Sequence, residues 1–198
     1  AAFVCFGSAS GLTSPANWTA QGRRANASLG ASVAAAADVN GDGYGDIIVG
    51  APRYDNVEAN EGHVFVWHGS AAGLGDAGAP WNATWKAEGN LAGTADTVNF
   101  GASAATGGDV NGDGYSDVLI GDPYHGRAFA WFGSSTGLGV SGTPANADWT
   151  VSDAQASCYF GAVVATAGDV NGDGYSDVIV GAKFYDNGLT NEGKVFVY

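Results

Sequence analysis

One nine-residue segment occurs three times in this chain, and it restricts the possible folds more than any other feature. The copies are DVNGDGYGD at 38–46, DVNGDGYSD at 109–117 and DVNGDGYSD at 169–177, which differ at a single position. Segments of similar apolar sequence flank every copy on both sides. Self-similarity of this kind is typical of a chain built from equivalent supersecondary units in series.

The units are predicted to consist of short β-strands. After each copy comes a β-branched segment bounded by Asp and Gly, which favours a buried strand: IIVG (47–50), VLIG (118–121) and VIVG (178–181). Three more strand-like segments recur in the units: a small-residue strand at 28–36, 99–108 and 159–168, a third apolar strand at 64–67, 128–131 and 195–198, and a strand centred on tryptophan at 17–20, 83–88 and 147–152. Four antiparallel strands per repeat of this length indicate an all-β fold of β-propeller blades.

The repeat also predicts the domain organisation. Residues 1–198 form one propeller region, with a partial blade at 1–27, blades at 28–98 and 99–158, and a truncated blade at 159–198. The N-terminal segment matches a third strand, with Cys5 where Trp67 and Trp131 stand in later copies. Because these blades make no whole ring and the chain has no methionine, we expect an excised piece of a longer array or a ring completed by another copy.

The repeated segment is predicted to be a calcium site. In D-x-N-x-D-G-x-x-D, side-chain oxygens fall at positions one, three, five and nine, a backbone carbonyl at position seven, and glycine permits the sharp turn. An all-oxygen donor set disfavours zinc and copper, and its number of oxygens suits Ca²⁺ better than Mg²⁺. The predicted ligands of three structural ions are Asp38, Asn40, Asp42, Tyr44 (carbonyl) and Asp46; Asp109, Asn111, Asp113, Tyr115 (carbonyl) and Asp117; and Asp169, Asn171, Asp173, Tyr175 (carbonyl) and Asp177.

The charge distribution agrees with a cation at these turns. The net charge is −13, which argues against nucleic acid and against an anionic membrane surface as partners. Nine of the 20 acidic residues lie in the three copies, where clustered carboxylates repel one another unless a cation lies among them. The alternative is a set of Asp/Asn/Gly turns that bind no ion, because these residues favour turns in any case. No apolar run is long enough to span a bilayer, so membrane insertion is not expected.

The pattern resembles the FG-GAP repeats of integrin α-subunit propellers and their bacterial relatives, and the composition is nearer to a bacterial member. The matching dipeptides are Leu29–Gly30, Phe100–Gly101 and Phe160–Gly161, and the matching tripeptides are Gly50–Ala51–Pro52, Gly121–Asp122–Pro123 and Gly181–Ala182–Lys183. The resemblance implies structural calcium on the blade face away from the ligand-binding side. It also implies an extracellular or cell-surface protein that serves as a non-catalytic scaffold for protein binding and adhesion.

The variable connections are the expected source of ligand contacts. Those at 53–63, 76–82 and 184–194 would contact a protein or a glycan. Two other functions remain open: a carbohydrate-binding lectin module, and the non-catalytic part of a polysaccharide-processing enzyme. The acidic residues outside the repeated loops show no pairing pattern that would indicate catalysis.

Structural roles are also expected for most histidines, tryptophans and cysteines of this chain. The three histidines, at 63, 68 and 125, are separated in sequence and are interpreted as structural. Five of the six tryptophans recur at strand positions, which favours packing between blades over sugar stacking, and Trp81 is the exception. The two cysteines allow one disulfide or two thiols, and buried thiols are favoured because apolar residues replace them in the other repeats.

Overall fold

The computed structural model describes residues 1–56, 60–90, 99–155 and 157–198, and this part of the chain is built from β-strands without a helix. It contains two four-stranded sheets, one three-stranded sheet, one two-stranded sheet and a short two-stranded ribbon. Every strand pairing within them is antiparallel. The predicted fold class, all-β with four-stranded blades, is therefore confirmed.

The N-terminal region forms the outer half of a blade. Strand β1 (Ala2–Val4) pairs with β4 (Trp18–Ala20), and the ribbon of β2 (Gly7–Ser8) and β3 (Gly11–Leu12) lies between them in sequence. Strand β1 thus pairs with the tryptophan strand that follows it, as expected of a third strand, and the partial blade at 1–27 stays a prediction.

Three larger sheets follow, and within each sheet the strands lie side by side in the order in which they occur in the chain. The first is β5 (Ser32–Ala37), β6 (Asp46–Ala51), β7 (His63–Trp67) and β8 (Trp85–Glu88). The second is β9 (Ser103–Gly108), β10 (Asp117–Asp122), β11 (Arg127–Trp131) and β12 (Trp149–Ser152). The third is β13 (Phe160–Gly168), β14 (Asp177–Ala182) and β15 (Lys194–Val197). The predicted blade boundaries remain predictions, and residues 57–59, 91–98 and 156 lie outside the described residues.

The strand register defines two ends of each blade. In the first blade Ile47 lies opposite Trp67, whereas Ala51 lies opposite His63. The β5–β6 connection, which carries the repeated loop, and the β7–β8 connection therefore lie at one end, here called the aspartate end. The β6–β7 and β8–β9 connections lie at the other end, here called the opposite end. Consequently the variable connections do not share an end: 76–82 lies at the aspartate end, and the described parts of 53–63 and 184–194 lie at the opposite end.

The cores lie between consecutive sheets. Strand β5 packs beside β9, and β9 packs beside β13, so these strands form the innermost row. Farther out, Trp85 contacts Trp131 of the next sheet with ring centroids 5.6 Å apart, and Trp18 contacts Trp67 at 5.3 Å. The predicted packing of tryptophans between blades is therefore confirmed. Trp81 is 71% exposed, which agrees with its place outside this pattern.

The described sheets do not close a ring, and the face of the last sheet is accordingly more exposed to solvent than that of a sheet between two others. Strand β10, which lies between two sheets, is buried along its whole length, whereas every second residue of β14 is only partly buried. Val163, Val195 and Val197 are each more than half exposed on the last sheet. An apolar face of this kind is what a further blade would cover.

The two cysteines are free thiols in different environments. Cys158 is buried, whereas Cys5 is exposed, so the prediction of buried thiols is wrong for Cys5. The cause is positional: Trp67 is buried because Trp18 of the preceding sheet packs on it, and no described sheet precedes Cys5.

Candidate metal centre

Each repeated loop is wound around the side chains of its own aspartates. In the first loop the Asp38 carboxylate accepts the backbone N–H groups of Asp42 at 3.1 Å and Gly43 at 2.8 Å. The side-chain oxygen of Asn40 accepts the Asp42 N–H at 3.2 Å, and the Asp42 carboxylate accepts the Tyr44 N–H at 2.9 Å. These bonds direct the loop backbone around the oxygen-bearing side chains at positions one, three and five.

The second and third loops repeat these bonds. Asp109 accepts the N–H of Gly114 at 2.8 Å, and Asp169 accepts that of Gly174 at 2.9 Å. The bond from Gly174 is the main reason that the pKa of Asp169 lies below its usual value, since backbone donors stabilise the ionised carboxylate. Recurrence of the whole bonding pattern shows that one local sequence produces one loop conformation three times.

The aspartate at position nine is the buried member of the set. Asp46 is 1% exposed, and its two oxygens accept the N–H groups of Val39 at 2.9 Å and Gly69 at 2.8 Å. Burial raises the pKa of Asp46 and raises that of Asp117 to about 6, against the opposing effect of the backbone hydrogen bonds. A buried carboxylate is costly to ionise unless positive charge compensates it, and a cation in the loop would do so. Asp177, in the last loop, is only partly buried.

The donor chemistry of the loops fits Ca²⁺. In none of the three loops, all of which are fully described, does one oxygen from each aspartate come within 4.8 Å of the others. Binding would therefore require rotation of the less buried aspartates, such as Asp38 and Asp42, towards Asp46. An ionised carboxylate offers about four acceptor positions, and each of these three uses two, so capacity remains for a cation. The hydrogen bond from Asn40 to Asp42 (3.0 Å) would be replaced when the amide presents its oxygen to the ion.

The three loops are bonded to one another in a row. The Ser116 N–H donates to the backbone carbonyl of Asp38 at 3.0 Å, and the Ser176 N–H donates to that of Asp109 at 2.8 Å. In addition, the Tyr115 ring lies against Gly41, where a Cβ atom would collide with it. The Tyr175 ring covers the second loop in the same way. Neighbouring loops are therefore not independent structural units.

A different cluster at the opposite end was missed by the sequence analysis. His63 lies with its Nε2 atom 3.3 Å from a Glu88 oxygen and its Nδ1 atom 3.9 Å from a Glu61 oxygen. Burial, together with the smaller effect of the Lys86 charge, lowers the pKa of His63 to about 4. The strand register was the only signal for this cluster, because it places Glu88 directly opposite His63.

The equivalent position in the second blade holds an ion-pair cluster. Asp122 is buried and accepts hydrogen bonds from His125 Nδ1 at 2.9 Å and from Arg127 Nη2 at 2.6 Å. The short connection at 123–126 is thereby fixed to the end of β10. This arrangement supports the structural interpretation of His125.

The repeats, the four-stranded sheets and the oxygen-rich loops define a propeller-type repeat protein, and comparison with known proteins gives the same family. The FG-GAP repeat model matches residues 29–67, 100–140 and 160–198, which together are more than half of the chain. The chain therefore belongs to the FG-GAP repeat family, and the resemblance found in the sequence is confirmed.

Individual relatives include both enzymes and integrin subunits. The chain is 33% identical to phosphatidylinositol-glycan-specific phospholipase D of Bos taurus over 171 residues, which is 82% of this chain and 19% of that protein. It is 33% identical to integrin alpha-PS2 of Drosophila melanogaster over 83% of this chain and 12% of the integrin, and 34% identical to human integrin alpha-7 over 81% and 13%. The chain thus spans a fifth or less of the length of these relatives. None of the described residues forms a helix suited to crossing a membrane.

Proposed function

We propose that this chain is a calcium-stabilised FG-GAP scaffold that binds an extracellular protein at the opposite end of its blades and has no catalytic activity of its own. The observation that carries the proposal is the separation of two kinds of connection. The invariant loops all lie at the aspartate end, and the described parts of the variable connections 53–63 and 184–194 lie at the opposite end; one variable connection, 76–82, shares the aspartate end. Invariant loops serve structure, whereas variable loops on a rigid scaffold serve recognition.

The described residues at the opposite end are suited to protein contact. Phe184 is 42% exposed and Leu189 is 71% exposed, both in the 184–194 connection, and Tyr124 is 45% exposed in the second blade. The Lys183 ammonium lies 5.0 Å from the centre of the Phe184 ring. Exposed aromatic and aliphatic side chains beside a cation are typical of protein interfaces. The integrin relatives are consistent with an adhesive role at the cell surface.

Calcium binding is tested by titration calorimetry and thermal unfolding. We expect three Ca²⁺ ions per chain and a melting temperature that falls when a chelator is added. An ion present at 100 times its dissociation constant contributes about 2.7 kcal/mol to the stability of the folded form. Asp113→Ala removes one ligand from the second loop, so the stoichiometry should fall from three to two.

The matched control is Asp76→Asn, because Asp76 is an exposed acid outside the loops whose described hydrogen bond uses only its backbone carbonyl. It should bind three ions with unchanged stability. If the unsubstituted chain gives no heat of calcium binding, or if Asp113→Ala gives the same heat as the unsubstituted chain, the loops are turns that bind no ion.

Ligand binding is tested by cell attachment to the immobilised chain with and without calcium. We expect attachment that requires calcium and decreases at least tenfold in the double variant Phe184→Ala, Leu189→Ala. Trp81→Ala changes an exposed residue at the aspartate end and should attach normally. Attachment lost with Trp81→Ala but kept in the double variant would place recognition at the wrong end for this proposal.

A carbohydrate-binding function is the second candidate, and the exposed Trp81 favours it. The Arg23 guanidinium lies 5.9 Å from the centre of the Trp81 ring, which forms an aromatic and cationic surface of the kind that binds sugars. A glycan array decides between the two functions. Specific glycan signals that vanish in Trp81→Ala would support the lectin, and their absence would leave the protein-binding scaffold.

We further propose that a second copy of the chain covers the exposed face of the last sheet in solution when no further blade does. The support is the exposed valine face on β13 and β15 and an exposed apolar face at the other end of the row, which includes Phe3 and Val33. Light scattering tests the proposal, and a monodisperse monomer would contradict it.

A further inference from the structure

We propose that Glu61, His63 and Glu88 form a second kind of metal site, at the opposite end of the first blade, that binds one divalent transition metal ion such as Zn²⁺. One ligand atom from each side chain lies within 4.8 Å of the other two. The donor set is one imidazole nitrogen and carboxylate oxygens, which suits zinc and its neighbours, whereas Ca²⁺ prefers oxygen alone. The site is therefore chemically distinct from the aspartate loops.

The fold builds this cluster from three adjacent positions. His63 is the first residue of β7 and lies opposite Glu88, the last residue of β8. Glu61 precedes His63 by two residues and is fully buried. The aromatic rings of Tyr54 and Phe65 lie 4.8 Å and 5.6 Å from the His63 ring and fix its orientation.

An unpaired ring nitrogen points to a ligand at this place. His63 is 3% exposed, and among the described residues its Nδ1 atom has no partner that meets hydrogen-bond geometry. A buried ring nitrogen is normally satisfied by a donor, an acceptor or a metal ion. Zinc lies about 2.0–2.2 Å from its ligands, so the three donor atoms would have to move closer by about 1 Å. Rotation of Glu88 can supply this movement, since its side chain is 29% exposed.

The adjoining cavity leaves room for a ligand from solution. It has a volume of about 280 Å³, and its lining includes His63, Glu88, Asn56 and Lys86. The Asn56 amide donates to Glu88 at 3.1 Å and orients that carboxylate. A zinc ion with three protein ligands retains a fourth position, here open to the cavity, where the Lys86 ammonium would favour an anion.

The repeat itself does not require this cluster. The position of His63 is occupied by Arg127 in the second blade and by Lys194 in the third, and Ser152 stands in the place of Glu88. The second sheet therefore forms without any of the three residues, with His125 in the place of Glu61, whereas the third keeps a glutamate there, Glu192. The first blade alone combines Glu61 with His63 and Glu88, so this combination is not a consequence of the fold.

Zinc titration of the whole chain tests the proposal. Calcium is kept at saturation so that the aspartate loops are occupied, and binding is followed by calorimetry and by the visible absorption of Co²⁺ as a zinc substitute. We expect one Zn²⁺ per chain. Glu88→Gln keeps the size of the side chain and its bond from Asn56, and it should weaken binding at least tenfold. His63→Gln should abolish the Co²⁺ absorption.

The matched control is His125→Gln, which removes the histidine of the second blade and should leave zinc affinity unchanged. The proposal is overturned if the calcium-saturated chain takes up no zinc, or if the folded Glu88→Gln variant binds it as tightly as the unsubstituted chain. It is also overturned if His125→Gln weakens binding as much as Glu88→Gln does. If circular dichroism shows that His63→Gln does not fold, Glu88→Gln alone decides.

Discussion

Alanine at Gly121 would test how tightly consecutive sheets are packed. Gly121 lies in β10, and a Cβ atom on it would overlap the carbonyl oxygen of Gly161 in the next sheet. The same atom would lie 3.1 Å from the carbonyl carbon of Gly161 and 3.5 Å from the Cβ of Ser103. Because the obstructing atoms belong to the backbone, no side-chain rotation relieves the overlap, and the sheets must separate.

The expected cost follows from this geometry. Overpacking a protein interior costs about 1–3 kcal/mol, and a clash with backbone places Gly121→Ala at the upper end, about 3 kcal/mol. For a chain of this size the loss corresponds to a decrease of roughly 6–12 °C in melting temperature. The measurement is thermal unfolding followed by circular dichroism or calorimetry, with calcium at saturation.

Gly181→Ala is the matched control, because Gly181 holds the same position in the third sheet. Its added Cβ would meet only Val163, at 3.7 Å from Cβ and 3.8 Å from the carbonyl oxygen, which are ordinary contacts. We expect stability within about 0.5 kcal/mol of the unsubstituted chain. An unchanged melting temperature for Gly121→Ala would refute the packing argument. An equal loss in both variants of a monomeric chain would refute it as well.

Three smaller changes test other contacts. Ser103→Ala removes the hydroxyl that accepts the Val164 N–H at 3.0 Å across two sheets, and the stranded donor should cost about 1–3 kcal/mol in the free energy of unfolding measured with urea. Trp85→Phe removes the hydrogen bond from the indole N–H to the Val140 carbonyl at 2.8 Å. We expect the lost bond to lower the free energy of unfolding, also measured with urea, by about 1 kcal/mol, in addition to the loss caused by the smaller ring. Burial raises the pKa of the Cys158 thiol above its usual 9.0, so its thiolate form appears only at higher pH. The native chain should therefore take up one equivalent of an alkylating agent even at pH 9, and two equivalents would contradict the burial of this thiol.

The sequence predicts most of the fold because the repeat presents each strand several times. An ambiguous segment such as 83–88 becomes interpretable once 147–152 occupies the same place in the next unit, and both segments contain strands. The candidate calcium loops can also be predicted from the sequence, because all their side chains come from nine consecutive residues. Their hydrogen bonds are local, so neighbouring sheets are not needed to specify them.

The remaining features depend on which residues meet across strands and sheets. Glu61 and Glu88 are 27 residues apart, and only the pairing of β7 with β8 brings them to one histidine. Cys5 matches buried residues of later repeats in sequence, yet it is exposed because no sheet among the described residues covers it. The assignment of the 76–82 connection to the aspartate end likewise requires the direction of each strand, which a list of strands does not contain.

The row of bonded loops has a consequence for the order in which the proposed ions would be released. The first loop is supported by Tyr115 and Ser116 of the second, and the second by the corresponding residues of the third. Within the described chain nothing supports the third loop in this way, and Asp169 and Asp173 in it are exposed. Calcium occupancy should therefore differ along the row, and the site at 169–177 should release its ion first when the calcium concentration falls. Each ion that is released should weaken calcium binding at the preceding loop.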